Sequence, residues 1–469
     1  METQQMDERD LLTKVSFREI IDDFAEEINK RKKETGPKPS LAVINFRREH
    51  IDGIERPVYF VPIELLRFRK DNGRIRSDIE SYEKLNEPLF ERSEFAQNII
   101  RDFLNEKDTD KTKILKNSIL HSGQREPAII TCDGFLINGN RRKLVLEDLK
   151  KENPDKFGEM KVVILPGKED EGGPPTLLEI EQIENRYQLQ SEGKAEYYKF
   201  DRALSIRRKI MLGMSLEEQL RDDPSYVNLP SKEFNKVVKE YREEYLEPLK
   251  CIDRYLESLE RPGLYDTISK GISDKEGRWQ AFLDYYNHVR KRLDNDSKRI
   301  TLGIEEDEKG DIEEIAFKII RKRDFPGLPK VHKIMRDLPK WLNNSESRKE
   351  LDKLLDIEFE LSDDESIDSD GNEIDERTKD QKWSAKNAPI LINQVKKAKH
   401  LFENEKERET PLTLLDAALK KLQHDNMDPT AINIHDLQRA MELARKVKRA
   451  ADELESEFYD IQKKLKSLK

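Results

Sequence analysis

The sequence predicts an α+β protein: a small mixed domain, then a mostly helical domain, then a helical, coiled-coil-like tail. Three observations carry this. Short apolar strand-like runs (Val58–Ile63, Ala128–Thr131, Val162–Leu165) occur only before Leu177, helical periodicity dominates after it, and from Ile434 onward apolar residues recur at steps of three and four. The chain has 469 residues, of which 39% are charged and 35% hydrophobic, a balance that suits several modest domains better than one large core. The expected boundaries are an N-terminal helical arm (1–50), the mixed domain (51–176), the helical domain (177–361), an acidic linker (362–384) and the tail (385–469).

The elements follow in order. Leu11 to Lys33 places Val15, Ile20, Ile21, Phe24 and Ile28 on one helical face, and Gly36-Pro37-Lys38-Pro39 stops it. After the extended run Val58–Ile63, Asp71-Asn72-Gly73-Arg74-Ile75-Arg76 reads as a turn carrying arginines. Helical patterns cover Ser93–Leu104 and Asp110–His121. Ala128–Thr131 and Phe135–Ile137 flank Asp133-Gly134, a pair suited to a type I′ hairpin turn. A helix from Arg141 to Lys151 and a strand from Lys161 to Leu165 complete the mixed domain, which the Gly/Pro-rich loop Glu169–Pro175 closes. Helices are expected at Leu178–Gln190, Lys194–Leu212, Ser215–Asp222, Ser231–Glu257, Gly277–Leu293, Gly310–Arg321 and Leu328–Asn343. Asp363–Glu376 is acidic and Ser-rich and reads as a solvated linker. Its calcium-loop-like start fails at the twelfth position, where Arg377 replaces the required glutamate.

The net charge of −10 gives no global nucleic-acid signature, so DNA contact would need a local basic patch. Two cysteines, Cys132 and Cys251, make no disulfide framework and no metal cluster. The polar N-terminus and the lack of a long apolar run predict a cytoplasmic protein with no membrane partner.

The chemistry concentrates at Gly134–Leu144. An apolar strand runs into Asn138-Gly139, then into Asn140-Arg141-Arg142 at the start of a helix. A helix N-terminus and two guanidinium forks suit a phosphate, and Gly139 lets backbone approach where a Cβ would clash. Glu184 and Asn185 are oxygen ligands of the kind a nucleotide-bound Mg²⁺ accepts.

Four motifs in order, from Val58 to about Tyr241, resemble the N-terminal region of the ParB/sulfiredoxin superfamily. They are Val61-Pro62-Ile63 followed by Asn72-Gly73-Arg74-Ile75-Arg76; Ser118-Ile119 with Gly123-Gln124-Arg125-Glu126-Pro127; Gly139-Asn140-Arg141-Arg142, which departs from Gly-Glu-Arg-Arg at Asn140; and Glu184-Asn185-Arg186-Tyr187-Gln188, with its arginine shifted to Arg186. The resemblance implies binding of CTP or ATP with Mg²⁺ by Gln124, Arg125, Asn138, Gly139, Asn140, Arg141, Arg142 and Arg186. Glu184 and Asn185 would act at the metal and in any CTPase or ATPase chemistry. It implies action on DNA, with the foreign C-terminal half pointing to anti-phage defence or genome maintenance over ordinary partition. The alternatives are a DNA-binding adaptor with a degenerate pocket and a nuclease. Sulfiredoxin chemistry is excluded because the phosphate motif lacks cysteine; Cys132 reads as packing.

Gly213–Leu220 and Ser231–Tyr241 resemble a helix-turn-helix whose Lys232, Asn235, Lys236 and Lys239 would meet phosphates, with Arg74 and Arg76 as the next candidates. In the tail, the stripe from Ile434 to Leu468 needs a covering helix. That helix comes either from a homo-oligomer or protein partner, or from the chain's own Pro411–Gln423.

Overall fold

The computed structural model describes residues 16–34, 40–44, 46–47, 54–107, 109–189, 198–223, 225–268, 272–368, 371–424 and 427–467. It forms two compact units, 1–399 and 400–469. The first is α+β, as the sequence predicts.

Four strands form one sheet in the order β1-β2-β4-β3, where β1 is Leu41–Ile44, β2 Ile54–Pro62, β3 Ala128–Ile130 and β4 Glu159–Ile164. β2 lies antiparallel to both β1 and β4, while β3 runs parallel to β4 (Ile129 opposite Val163). A parallel pair needs a crossover, and the helix Asn140–Glu152 supplies it. Side chains alternate between faces. Val61, Ala128, Ile130, Val162 and Ile164 join one core, and Val58, Ile129, Val163 and Leu165 join the other. Being covered on both faces is why Ala128–Ile130 and Val162–Leu165 read as unbroken apolar runs.

Helices α1 (Asp22–Glu34), α2 (Arg76–Leu85), α3 (Glu94–Glu106), α4 (Thr109–Ser122) and α5 (Asn140–Glu152) belong to the sheet half. Next come α6 (Leu177–Leu189), α7 (Lys199–Met211), α8 (Leu216–Arg221) and α9 (Ser231–Tyr241). A π-helical turn, Arg242–Leu246, leads from α9 into α10 (Glu247–Ser258), followed by α11 (Ile272–Tyr285), α12 (Lys309–Lys322) and α13 (Val331–Leu342). The last two are α14 (Glu376–Leu422) and α15 (Leu437–Ser467).

Four expectations are corrected. The helix expected from Leu11 starts only at Asp22. Residues 11–15 lie outside the described residues, and Phe17 instead bridges Thr176 while the Ile21 N–H donates to Asp133. These tertiary bonds replace helical ones. The arm is also not separate, because its residues 41–44 are an edge strand, unpredicted since Leu41 and Val43 face outward. The hairpin turn is not type I′. Gly134 N–H donates to the Thr131 carbonyl, and only Gly134 has a positive φ, +85°. That is a three-residue loop closed by a left-handed glycine, and the Asp133 carboxylate fixes it by accepting from Thr131 Oγ1 at 2.6 Å.

The fourth correction concerns the linker. Ile367 pairs with Glu373, and α14 begins at Glu376 with Asp380 and Trp383 buried. Asp380 Oδ1 accepts from Arg261 Nη1 at 2.9 Å and Arg321 Nε at 3.0 Å, and Arg321 lies 4.4 Å over the Trp383 ring. Two guanidiniums on other elements thus hold the start of α14 inside the first unit.

In the second unit, none of the described residues 400–467 is buried, so the internal hairpin packing considered for the tail is not formed. The predicted Pro411–Gln423 helix is the end of the 47-residue α14. Among the described residues no helix is long and apolar enough to cross a membrane.

Candidate functional site

Residues of the last three sequence motifs, together with Asn72 and Arg74 of the first, meet around one cleft of about 990 Å³. Its floor is the N-terminus of α5. Gly139 caps that helix with φ +89° and offers no side chain to its leading N–H groups. A Cβ there would sit 2.7 Å from the Ala128 Cβ. Gly139→Ala is therefore expected to cost about 1–3 kcal/mol from left-handed strain and overlap, read as a lowered midpoint in urea unfolding. An unchanged midpoint would mean that β3 yields.

Gln124, Arg125, Asn138, Gly139, Asn140, Arg141, Arg142, Glu184 and Asn185 all line the cleft. Arg186 does not. It pairs with Asp222 at 3.4 Å, which corrects its expected ligand role. Several lining residues also build the walls. The Gln124 amide bonds both the N–H and the C=O of Lys161 at 2.8 Å, closing the end of β4 like a strand. Asn138 Oδ1 accepts the Ile129 N–H at 2.7 Å, tying the corner to β3. Asn140 Oδ1 is buried with no hydrogen-bond partner. Arg142 bonds the Glu126 carbonyl. Burial lowers the pKa of Arg142, with Glu126 opposing.

α6 enters from the other side. Glu184 Oε1 accepts the Gly73 N–H at 3.1 Å and Oε2 accepts Arg69 Nη2 at 3.4 Å. Arg69 also reaches Glu181 at 3.3 Å. Burial, then the Glu184 charge, raise the Glu181 carboxyl above its ordinary value. Asn185 donates to the Gln219 carbonyl and Asp222, and its Oδ1 accepts from Lys209 Nζ at 3.2 Å.

Sequence reasoning missed Lys111, Arg202, Ser205 and Lys209, which also line the cleft. Arg202, Ser205 and Lys209 form a polar stripe at steps of three and four on α7, amid buried Ala203, Leu204 and Ile206. That pattern was the available signal. Burial lowers the Lys209 pKa, opposed first by Glu181 and then by Glu184. Seven cationic side chains (Arg74, Lys111, Arg125, Arg141, Arg142, Arg202, Lys209) line the cleft against three carboxylates (Glu126, Glu184, Asp223). In a chain of net charge −10 this is a local reversal of sign. Such a local excess of positive charge favours an incoming anion.

No protein-family model, curated protein or solved structure matches the chain.

The residues fit a polyphosphate better than a protein-held metal. Among the described residues no group of three or more His, Cys, Asp or Glu side chains is placed to hold a metal. Asn185 faces an ammonium group and does not suit a cation. Glu184 does line the cleft, and Mg²⁺ commonly takes one carboxylate with the rest from phosphates and water. Burial and the Asp133 charge push the Cys132 thiol up to about 11, away from the thiolate form that a nucleophile needs.

The two segments expected to form a helix-turn-helix are the helices α8 and α9, but α9 continues through the π turn into α10. Lys232, Asn235, Lys236 and Lys239 are exposed on one face of α9. Arg76 is buried and bonded to Asp71 and Glu80, which removes it as a DNA candidate.

Proposed function

We propose that the cleft binds a nucleoside triphosphate, CTP or ATP carried with Mg²⁺, and that its occupancy tunes contact with DNA. The observation that supports this is the cationic excess around an uncapped helix N-terminus, gathered from separate sequence motifs. The phosphates would lie against Gly139–Arg142, and the cleft has room for the nucleoside. When bound, Mg²⁺ would offset phosphate charge, with Glu184 the carboxylate nearest to serve it. Titration calorimetry with each of the four nucleoside triphosphates and Mg²⁺ tests this. Micromolar binding of at least one supports it, and absence of binding by all four returns the reading to an adaptor with a degenerate pocket.

The DNA part rests on α9, which carries Tyr241 into the cleft and the lysine face outward. Lys236 is compensated only loosely by Glu240, at 3.7 Å. Replacing Lys232, Lys236 and Lys239 with glutamine is expected to weaken DNA binding. It should also reduce the slope of log K against log salt by about two to three. An unchanged slope would move the DNA surface elsewhere.

A further inference from the structure

The second unit exposes a stripe that its own helices leave uncovered. On α15, Val447 is 47% exposed, Leu454 40%, Phe458 42%, Ile461 53% and Leu465 60%. In proteins most helical stability comes from packing an amphipathic face, so the stripe calls for a partner. The charge pattern along α15 indicates which one. Arg445, Lys446, Lys448 and Arg449 form a basic block, and Asp452, Glu453, Glu455, Glu457 and Asp460 form an acidic block directly after it. Two such blocks in tandem are complementary to their own reversal.

We propose that two copies of the chain associate through α15 packed antiparallel to itself, centred between Asp452 and Glu453. In this register the basic block of each copy lies along the acidic block of the other, and the core layers pair apolar with apolar. Val447 of one copy meets Phe458 of the other, Ala451 meets Leu454, Ala444 meets Ile461, and Ala440 meets Leu465. Small residues thereby face large ones, which fills the interface evenly. Beside the core, Lys448 stands next to Glu455 of the other copy, a pair that occurs twice by symmetry. The other flanking position, Ala450 beside Glu457, is small and carries no like-charge conflict. A parallel pair fits worse. It lays like block along like block, stacks Ala451 on Ala451, leaving a gap, and places Lys448 beside Leu443 instead of a carboxylate.

The test uses the full chain in two arms. In sedimentation equilibrium, wild type is expected to be a dimer at micromolar concentration. Lys448→Glu and Glu455→Lys each turn both symmetric pairs into like-charge contacts, so each variant should dissociate about tenfold more readily. An equimolar mixture of the two restores opposite charges at both pairs and should re-form a dimer of near wild-type affinity. In the second arm Lys463→Cys carries a spin label. Cys132 is half-buried and Cys251 buried, so both are first replaced with alanine and only the introduced thiol carries the label. Lys463 would stand opposite Glu442 of the other copy. The two labels should therefore be about 30 Å apart along the axis at 1.5 Å per residue, against roughly 10–15 Å for a parallel pair. A long distance together with rescue by mixing supports the proposal. A monomeric wild type, a short label distance, or failure of the mixed variants to re-form a dimer overturns it.

Discussion

Replacing Arg141 and Arg142 together with alanine is expected to weaken triphosphate binding by about a hundredfold or more. Each charge-assisted bond to phosphate contributes roughly 1.5–3 kcal/mol, and the two forks sit at the same helix N-terminus. Arg142→Ala alone should lose about tenfold and Arg142→Lys somewhat less, because an ammonium keeps the charge but loses the fork. Calorimetry on each variant gives the numbers, and circular dichroism checks the fold. Arg142 also bonds the Glu126 carbonyl at the cleft wall, so its removal disturbs the wall as well as the charge. Arg141→Ala separates the two roles. If both single variants fold and bind as wild type does, the phosphate corner is misassigned.

The second large effect concerns Asp380. Asp380→Ala is expected to destabilise the first unit by about 3–5 kcal/mol, the cost of leaving buried charges without their partner. Arg321 is fully buried and Arg261 is 4% exposed, so neither can rotate into water when the carboxylate is removed. Glu376 still reaches Arg261, whereas Arg321 keeps the Phe359 carbonyl but loses the Asp380 carboxylate. Urea unfolding followed by Trp fluorescence should show the loss, since Trp383 lies under Arg321. A change below about 1 kcal/mol would mean that water enters and solvates the arginines.

The two expectations differ in how they arose. The cationic corner at the start of α5 was legible because its residues are local in the chain. Strand, Asn-Gly, Arg-Arg and helix are consecutive residues, and a helix N-terminus is a local structure whatever packs on it. The Asp380 site was not legible. Its partners Arg261 and Arg321 are far away in sequence, and Asp380 borders an acidic, Ser-rich run that looks solvated.

The same division runs through the molecule. By itself the sequence determined the α+β class, the two buried strands, the order of the helices after Leu177 and the apolar stripe of α15, because each is a periodicity or a short-range steric preference. Only the tertiary structure decided which polar groups share a site. It drew Arg202 and Lys209 of α7 to the cleft, turned Arg186 away to Asp222, and committed Asn185 to Lys209 and α8. It also made the thin, half-exposed Leu41–Ile44 an edge strand and changed the Asp133-Gly134 turn from the type its dipeptide favours. The physical reason is that a lone carboxylate, amide or guanidinium carries no periodic signal. Its partner is fixed by where burial leaves it, and burial is settled only when the elements have packed.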